Sequence, residues 1–527
     1  MTGQHRNTKA LQTFRLAIAL SLAASTALFV AWSWHWPLVG DASLIHYLAF
    51  LIERGMPPYR VLGDMNMPGS FLLEMAAMKV FGGGALAWRL YDFTLLAVAF
   101  AAFRILTARA GWFPAIFAGT LFALVHGRDG LAQGGQRDLT MAALLASSTA
   151  LLAIAIRRRA WWATAAFGLL AGIAFTIKPT AVPLSLAQLA IAAGVMRKPA
   201  RSPQPGPAVL HPVWTFFWAA LGIAVGPAIA FAFLLREQAV AAFWANLHGM
   251  VPYYAGLGHR PLGFLLLHSL SPLLALVLIW FAVLALARPK LDWERGLLLS
   301  GVVFGLLSYL IQARGFPYYR YPLLAFLLPL MAFDFSEVAA VTRTPRMKLA
   351  AALSVAALAI GGLFLGPQSA VLIHRYRWWE TDFNTTLEAS LTRLGGPALA
   401  GQIQCIDSIS GCGTTLYRMR LPPATGILLD FPLFGTDGVP FVEESRARFR
   451  DAVFAHPPRV LVVTSPLYVD GPGDYLKLDR WPEFEAFLTQ DYTLDSDWKP
   501  TRTQRWWSRE EFGPSYRIYV LKETNTR

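Results

Sequence analysis

The chain has 527 residues, 55% of them hydrophobic and only 15% charged, with a mean hydropathy of +0.44. A soluble globular protein needs more charge than this to stay in solution, so the composition excludes that class and indicates a polytopic α-helical membrane protein. The net charge of +14 does not point to nucleic acid as a partner: residues 1–365 hold 28 Lys+Arg against 12 Asp+Glu, residues 366–527 hold 18 against 20, and basic residues in an apolar half mark cytoplasmic loops.

In chain order, Arg6, Lys9 and Arg15 precede a first apolar run at 16–32, which continues into the interfacial aromatics Trp34-His35-Trp36. No small-x-small cleavage site follows, so an uncleaved anchor is expected. Residues 43–55 then carry apolar side chains at helical spacing and read as a helix lying along the interface, stopped by Pro57-Pro58. Met67-Pro68-Gly69 opens a second amphipathic stretch over 70–81, closed by Gly82-Gly83-Gly84. Further apolar runs fall at 90–106, 112–125, 139–156, 161–177, 181–195, 213–235, 264–287, 297–311, 321–335 and 349–365. With the first run this makes about eleven spans, since roughly 17 to 25 residues cross a bilayer.

With the N-terminus inside, alternate loops hold Arg104 and Arg109; Arg157, Arg158 and Arg159; Arg197, Lys198 and Arg201; Arg288, Lys290 and Arg295; and Arg343, Arg346 and Lys348. Every tight basic cluster then falls in the cytoplasm, and an odd number of spans puts the tail outside. The outer side receives Asp41, Glu53, Asp64, Glu74, Asp92, Asp129, Asp138 and Glu237. The proline-bearing stretch 199–212 reads as a flexible linker.

Beyond residue 365 the apolar runs shorten to strand length, at 426–431, 459–464 and 516–521, with a helix expected over 443–456. The expected organisation is therefore a membrane domain over 1–365 and an extracytoplasmic α/β domain over 366–527. The two cysteines, Cys405 and Cys412, lie in the second part. A short intervening loop in an oxidising compartment predicts a disulfide, with two buried thiols as the alternative.

Two acids stand out at span ends. Asp41 reads either as a general base, or acceptor-positioning group, or as a helix cap. Asp138 has the same two readings, but Gln136 and Arg137 before it are not needed for a cap, and Arg137 suits a phosphate or a carboxylate. Asp64 fits a solvated turn and Glu74 a paired or snorkelling charge. Lys178, before Pro179, either snorkels or meets a phosphate. Residues 312–322 (QARGFPYYRYP) combine Arg320 with Tyr319 and other aromatics. They suit an interfacial belt, or a clamp for a lipid phosphate and a sugar. No pair of His126, His248 and His259 forms a convincing zinc spacing.

These features resemble the polyprenol-phosphate-sugar-dependent glycosyltransferases of the GT-C fold, among them the protein O-mannosyltransferases and the lipid A aminoarabinose transferases. The first outer loop of that family carries an acid, then Tyr, Ala and Gly-x-x-Pro-Tyr, matched here by Asp41, Tyr47, Ala49, Gly55, Pro58 and Tyr59. Its Pro-Pro or Pro-Gly step is matched by Pro68-Gly69, a following arginine by Arg89, the second acid by Asp138, and a Lys-Pro by Lys178-Pro179. The resemblance covers residues 14–365. It departs at Ala42, where a second acid often follows the first, and at Met67, where some members have a lysine for the lipid phosphate. That task would pass to Arg137, Lys178 or Arg320.

The resemblance implies transfer of a sugar from a polyprenyl-phosphate donor to a lipid, polysaccharide or protein acceptor of the cell envelope, at the outer face of the cytoplasmic (inner) membrane. It implies Asp41 and Asp138 as catalytic residues, and Arg137, Lys178, Arg320, Tyr59 and Tyr319 as substrate-binding ones. Membrane lipids and the donor are the expected partners, with no nucleic acid. No cofactor is indicated, and a divalent cation is left open. A transporter or flippase of lipid-linked sugars is the main rival, although transporters place ionisable groups near the bilayer midplane and show paired repeats.

Overall fold

The computed structural model describes residues 2–197, 212–341, 344–375, 382–468, 473–500 and 514–523. Lys198, Arg201, Arg343 and most of the 199–212 stretch lie outside them. The first half is a helical bundle: α1 (Thr2–Ser33), α2 (Gly40–Glu53), α3 (Pro68–Phe81), α4 (Ala85–Leu106), α5 (Phe113–Asp129), α6 (Arg137–Arg158), α7 (Trp161–Ile177), α8 (Val182–Met196) and α9 (Pro212–Arg236). It continues through α10 (Val240–His248), α11 (Met250–Ala255), α12 (Leu262–Leu270), α13 (Leu274–Ala287), α14 (Trp293–Gln312), α15 (Tyr321–Val338), α16 (Pro345–Ala359) and α17 (Gly366–Arg375).

The apolar runs read from the sequence are helical, most of them within a single helix. Eight helices among the described residues are long and apolar enough to cross a membrane on their own. The run at 264–287 is not one straight span: α12 and α13 meet at 85° around Pro272, which has no N–H to continue the helical ladder. The helices α5 and α7 have 17 residues each, short for a crossing.

The bundle is organised around α15, whose apolar window is 94% buried, with α6 beside it at 78%. The first helix has 22% of its window buried and faces outward. In α7 and α9, Gly168, Gly172, Gly222 and Gly226 bring the two backbones together, and a Cβ at any of them would collide with the partner's main chain. This small-xxx-small spacing permits close helix contact in lipid, where no hydrophobic drive separates helix from solvent.

The two ends of the bundle differ in charge. At one end Arg109 meets Asp292 (2.7 Å), Glu294 (3.1 Å) and Glu337 (3.0 Å), Arg157 meets Glu294 (2.7 Å), and Arg295 meets Asp334 (2.8 Å) and Glu337 (2.7 Å). These are the four acids of the first 365 residues that the sequence reading did not assign to the outer side. At the other end, α6 carries Asp138 in its first turn, opposite Arg157 in its last.

The second half adds α18 (Asp382–Leu394), α19 (Cys412–Arg418), α20 (Pro440–Phe449) and α21 (Pro482–Asp491) to a sheet of β1 (Ile403–Ile406), β2 (Val460–Thr464), β3 (Tyr492–Trp498) and β4 (Tyr516–Leu521). The strand order is β1-β2-β4-β3, with β1 and β2 parallel and the other pairs antiparallel. Val460 and Val462 face Phe383, Leu387 and Leu391 of α18; Leu461 and Val463 face Phe449, Phe484 and Leu488. The strands expected at 459–464 and 516–521 are present, but 426–431 is not a strand. That run is buried as irregular core because Asp430 within it turns to Lys477 and Ser408. The missed strand β3 is an edge strand whose residues are mainly exposed and polar, and β1 has only four residues.

Nor does α2 lie along a lipid surface. Nearly all of it is buried under the second half, where Tyr47 donates to the Leu421 carbonyl (2.8 Å) and Thr414 to the Ser43 hydroxyl (2.7 Å). Cys405 and Cys412 are joined in a disulfide.

Candidate active site

Asp41 and Asp138 both stand in first helical turns, yet neither caps its helix. The N-cap positions of α2 and α6 are Val39 and Gln136, without side-chain capping bonds. The Asp41 carboxylate instead accepts from the Tyr318 hydroxyl at 3.3 Å and lies 4.0 Å from the Arg137 guanidinium. Asp138 is fully buried, and both its oxygens accept from the Lys178 ammonium at 2.7 Å. Gln312 accepts a third bond from Lys178 at 2.9 Å, and the Tyr319 ring lies 4.4 Å from the same ammonium.

The turn at 130–136 that presents Arg137 and Asp138 is fixed from below. Gly135 donates to Asp92 (3.0 Å), which also contacts Arg89 (3.3 Å) and His126 (2.9 Å); His126 in turn meets the Tyr321 hydroxyl (3.0 Å). Arg89 stacks on Trp36 and Trp88. A side chain at Gly135, whose φ is +57°, would run into the Trp88 ring. Arg89, matched to a family position in the sequence, thus holds the loop that carries the site.

Asp41, Asp64 and Arg137 line one cleft of about 370 Å³, roofed by Ser408, Ile409, Phe431 and Tyr468 of the second half and walled by Tyr254. Tyr254 and Tyr468 meet through their hydroxyls at 3.3 Å, and Phe316 stacks on both Tyr318 and Tyr468. Burial pushes the Tyr468 phenol well up. The disulfide holds the 405–412 loop in this roof. Asp407 anchors it further by accepting from the backbone of Ser410, Gly411 and Cys412.

Two of the residues chosen from the sequence do not face the cleft. Arg320 is 5% exposed, and its terminal nitrogens are taken by Asp129 (2.5 Å), the His268 carbonyl (2.9 Å) and the Ser271 carbonyl. It braces α5 and α15 against the α12–α13 bend, with three of its four terminal N–H groups committed there and away from the cleft. Tyr59 is buried between Phe71 and Phe243 and donates to the Asn66 carbonyl at 2.5 Å, so it shapes the 59–66 loop from behind.

Conversely, the solvated turn expected at Asp64 is a buried position inside the cleft. The local turn chemistry is as expected, with Asn66 donating to Asp64 at 2.6 Å, but tertiary packing covers it. Burial pushes its carboxyl up to about 6, against the pull of Arg137 and the Asn66 bond, with Asp41 adding to the rise. Gln312, Tyr318, Tyr254 and Tyr468 were likewise missed as individuals; of these, Gln312 and Tyr318 fall in the aromatic-rich 312–322 segment singled out in the sequence. Among the described residues no group of three or more His, Cys, Asp or Glu is placed to hold a metal ion.

The sequence matches no protein-family model and no curated protein. The structure is similar to ArnT from Cupriavidus metallidurans bound to undecaprenyl phosphate, with a TM-score of 0.60 at 12% identity, over 95% of this chain and 97% of that one. It is also similar to the Archaeoglobus fulgidus oligosaccharyltransferase in its apo form, with a TM-score of 0.51 at 14% identity, over 96% of this chain and 75% of that one. The chain has the GT-C fold, the architecture that its loop motifs resemble.

Proposed function

We propose that this protein is a membrane glycosyltransferase that moves one sugar from a polyprenyl-phosphate carrier to an envelope acceptor, a lipid, polysaccharide or protein, at the outer face of the cytoplasmic membrane. The observation that carries the reading is the meeting of Asp41 and Arg137 in an aromatic-walled cleft, with the Asp138–Lys178–Gln312 group next to Arg137 at the same bundle end. ArnT, whose fold this chain shares, was crystallised with undecaprenyl phosphate, and that carrier has the chemistry these cations suit.

In the reaction the acceptor's O–H or N–H attacks the anomeric carbon. The new bond to that carbon forms as the bond to the phosphate oxygen breaks, and the electron pair leaves with the phosphate. Asp41 takes the acceptor proton, as a general base must lie within reach of the atom it deprotonates. Arg137 faces the charge developing on the phosphate, and Lys178, its N–H groups held by Asp138 and Gln312, acts on it through its position beside Arg137 rather than through a free N–H. Asp138 and Gln312 hold Lys178 in position, and Tyr254, Tyr318, Tyr319 and Tyr468 offer faces and hydroxyls to a sugar.

The test is reconstitution of the full chain in nanodiscs with radiolabelled undecaprenyl-phosphate pentoses and hexoses, and an envelope extract as acceptor. Label should pass to the extract from at least one donor, and Asp41→Asn should stop it. If the wild-type protein passes label from none of them, the reading falls.

A further inference from the structure

Asp64 has a placement that the reaction above leaves unused. Its side chain is 1% exposed, and it is oriented from three directions. The Asn66 N–H holds Oδ1 at 2.6 Å, Asn246 on α10 donates to the Asp64 carbonyl at 2.8 Å, and the Tyr59 hydroxyl fixes the Asn66 carbonyl. The second oxygen, Oδ2, is buried and has no hydrogen-bond partner among the described residues. Buried polar atoms are nearly always paired, and a rigidly held exception in a cleft needs an explanation.

The groups around it limit what the missing partner is. Arg137 and Asp41 line the same cleft, with Tyr254 from the α11 side and Tyr468, Ser408 and Phe431 from the roof. Tyr59 lies behind the loop. A phosphate is drawn to Lys178 and Arg137 and repelled by a carboxylate, so Asp64 is not a donor-phosphate contact. It lies beneath the roof that the second half makes over the cleft, which leaves the acceptor as the substrate for it to meet. A carboxylate there recognises a hydroxyl, amide or ammonium N–H and rejects an anionic terminal group.

Resting on the glycosyl-transfer reading, we propose that Asp64 is the acceptor-binding carboxylate of this site, with Oδ2 accepting a hydrogen bond from an O–H or N–H of the acceptor while Asp41 takes the proton of the attacking group. Asp64 itself undergoes no covalent change. Its raised proton affinity adds a consequence. Once it is protonated, Asp64 loses the negative charge that makes it a strong acceptor, so acceptor binding weakens as pH falls below about 6.

The experiment measures steady-state transfer by the full chain in nanodiscs, from the undecaprenyl-phosphate sugars above to an octyl glycoside bearing free hydroxyls, between pH 5 and 8. Asp64→Asn keeps an oxygen for the Asn66 N–H, so the loop holds. Its thermal unfolding is checked alongside, and Asp64→Ser serves as a second variant. The expected result is an acceptor KM at least about tenfold higher in both variants, with the donor KM unchanged. In the wild type the acceptor KM rises as pH falls below 6, and in Asp64→Asn it no longer changes with pH. An acceptor KM like that of the wild type in both variants, or an equal rise in donor and acceptor KM, overturns the proposal and leaves the transferase reading standing. Absence of any wild-type transfer to the glycoside or to envelope extract removes the transferase reading, and the acceptor role with it.

Discussion

At the scale of single residues, near-identical chemistry serves different purposes depending on what surrounds it. Asp41→Asn keeps the shape and one hydrogen-bonding oxygen but removes the base. Turnover should fall by at least about a hundredfold with the protein still inserted, since general bases contribute about 10² to 10⁴. Asparagine caps helices as well as aspartate does, so near-normal transfer by this variant would return Asp41 to a packing role. Arg320 should behave differently. Arg320→Ala leaves Asp129 buried without its partner, a loss of about 3–5 kcal/mol in comparable pairs. The variant should melt markedly earlier in detergent while the surviving folded fraction keeps its donor KM. A donor KM raised without any loss of stability would contradict the brace. Asp64 gives a third case, with the sign reversed. Its carboxyl binds a proton more tightly when folded, at about 6 against an ordinary 3.8. Folding therefore takes up a proton within that window, and stability falls as pH rises through it. The loss is complete above about 6 and amounts to about 3 kcal/mol at most. Thermal unfolding should accordingly show Asp64→Asn more stable than wild type at pH 7.5 and level with it near pH 4. A variant less stable than wild type at both values would show that the charge is well compensated where it stands.

At the scale of elements, the legible features were those that depend on a periodic or continuous apolar run. Residues 139–156 and 321–335 announce α6 and α15 by length alone, and Pro68 at the first turn marks the start of α3. What escaped was set by neighbours distant in sequence. The α2 stripe suits a lipid surface as well as it suits a protein roof, and only the packing of α19 on it decides. The run at 426–431 has strand composition, yet the buried Lys477–Asp430 pair, 2.5 Å apart, takes it out of the sheet. A lysine with no solvent exposure, bonded also to the Ile406 carbonyl at 3.0 Å, pins β1 to the roof loop from the other side. The disulfide acts on the same loop. Closing so short a loop removes unfolded-state entropy worth about 2–3 kcal/mol. Alkylation of the denatured, unreduced protein should label neither Cys405 nor Cys412. The double Cys→Ser variant should unfold earlier and lose transfer beyond what its folded fraction explains, because Ser408 and Ile409 line the cleft. Two labelled thiols without reductant would remove the bridge from the account.

At the scale of the whole molecule, the chain divides its charge between two ends, and the candidate site follows from that division. The sequence disclosed the acids at span ends, the Arg137-Asp138 pair and Lys178-Pro179, because a charge beside an apolar run is conspicuous. It did not disclose which of them meet. Lys178 and Asp138 are forty residues apart and Tyr318 and Asp41 far more, and only the bundle brings them together. The same division bears on topology. Arg109, Arg157 and Arg295, with Asp292, Glu294, Asp334 and Glu337, form the end opposite the cleft. Positive residues are retained on the cytoplasmic side, so the cleft and the second half should lie outside. Single cysteines introduced at Arg158 and at Asp474, in a background whose native pair is replaced by serine, give the test. In intact cells a membrane-impermeant maleimide that can cross the outer envelope should label position 474 and leave 158 untouched until the membrane is permeabilised. Labelling of both positions, or of 158 alone, would place the site on the wrong side for an envelope acceptor. A lipid-linked sugar would then have to be used in the cytoplasm, and the proposed reaction would fail with the topology.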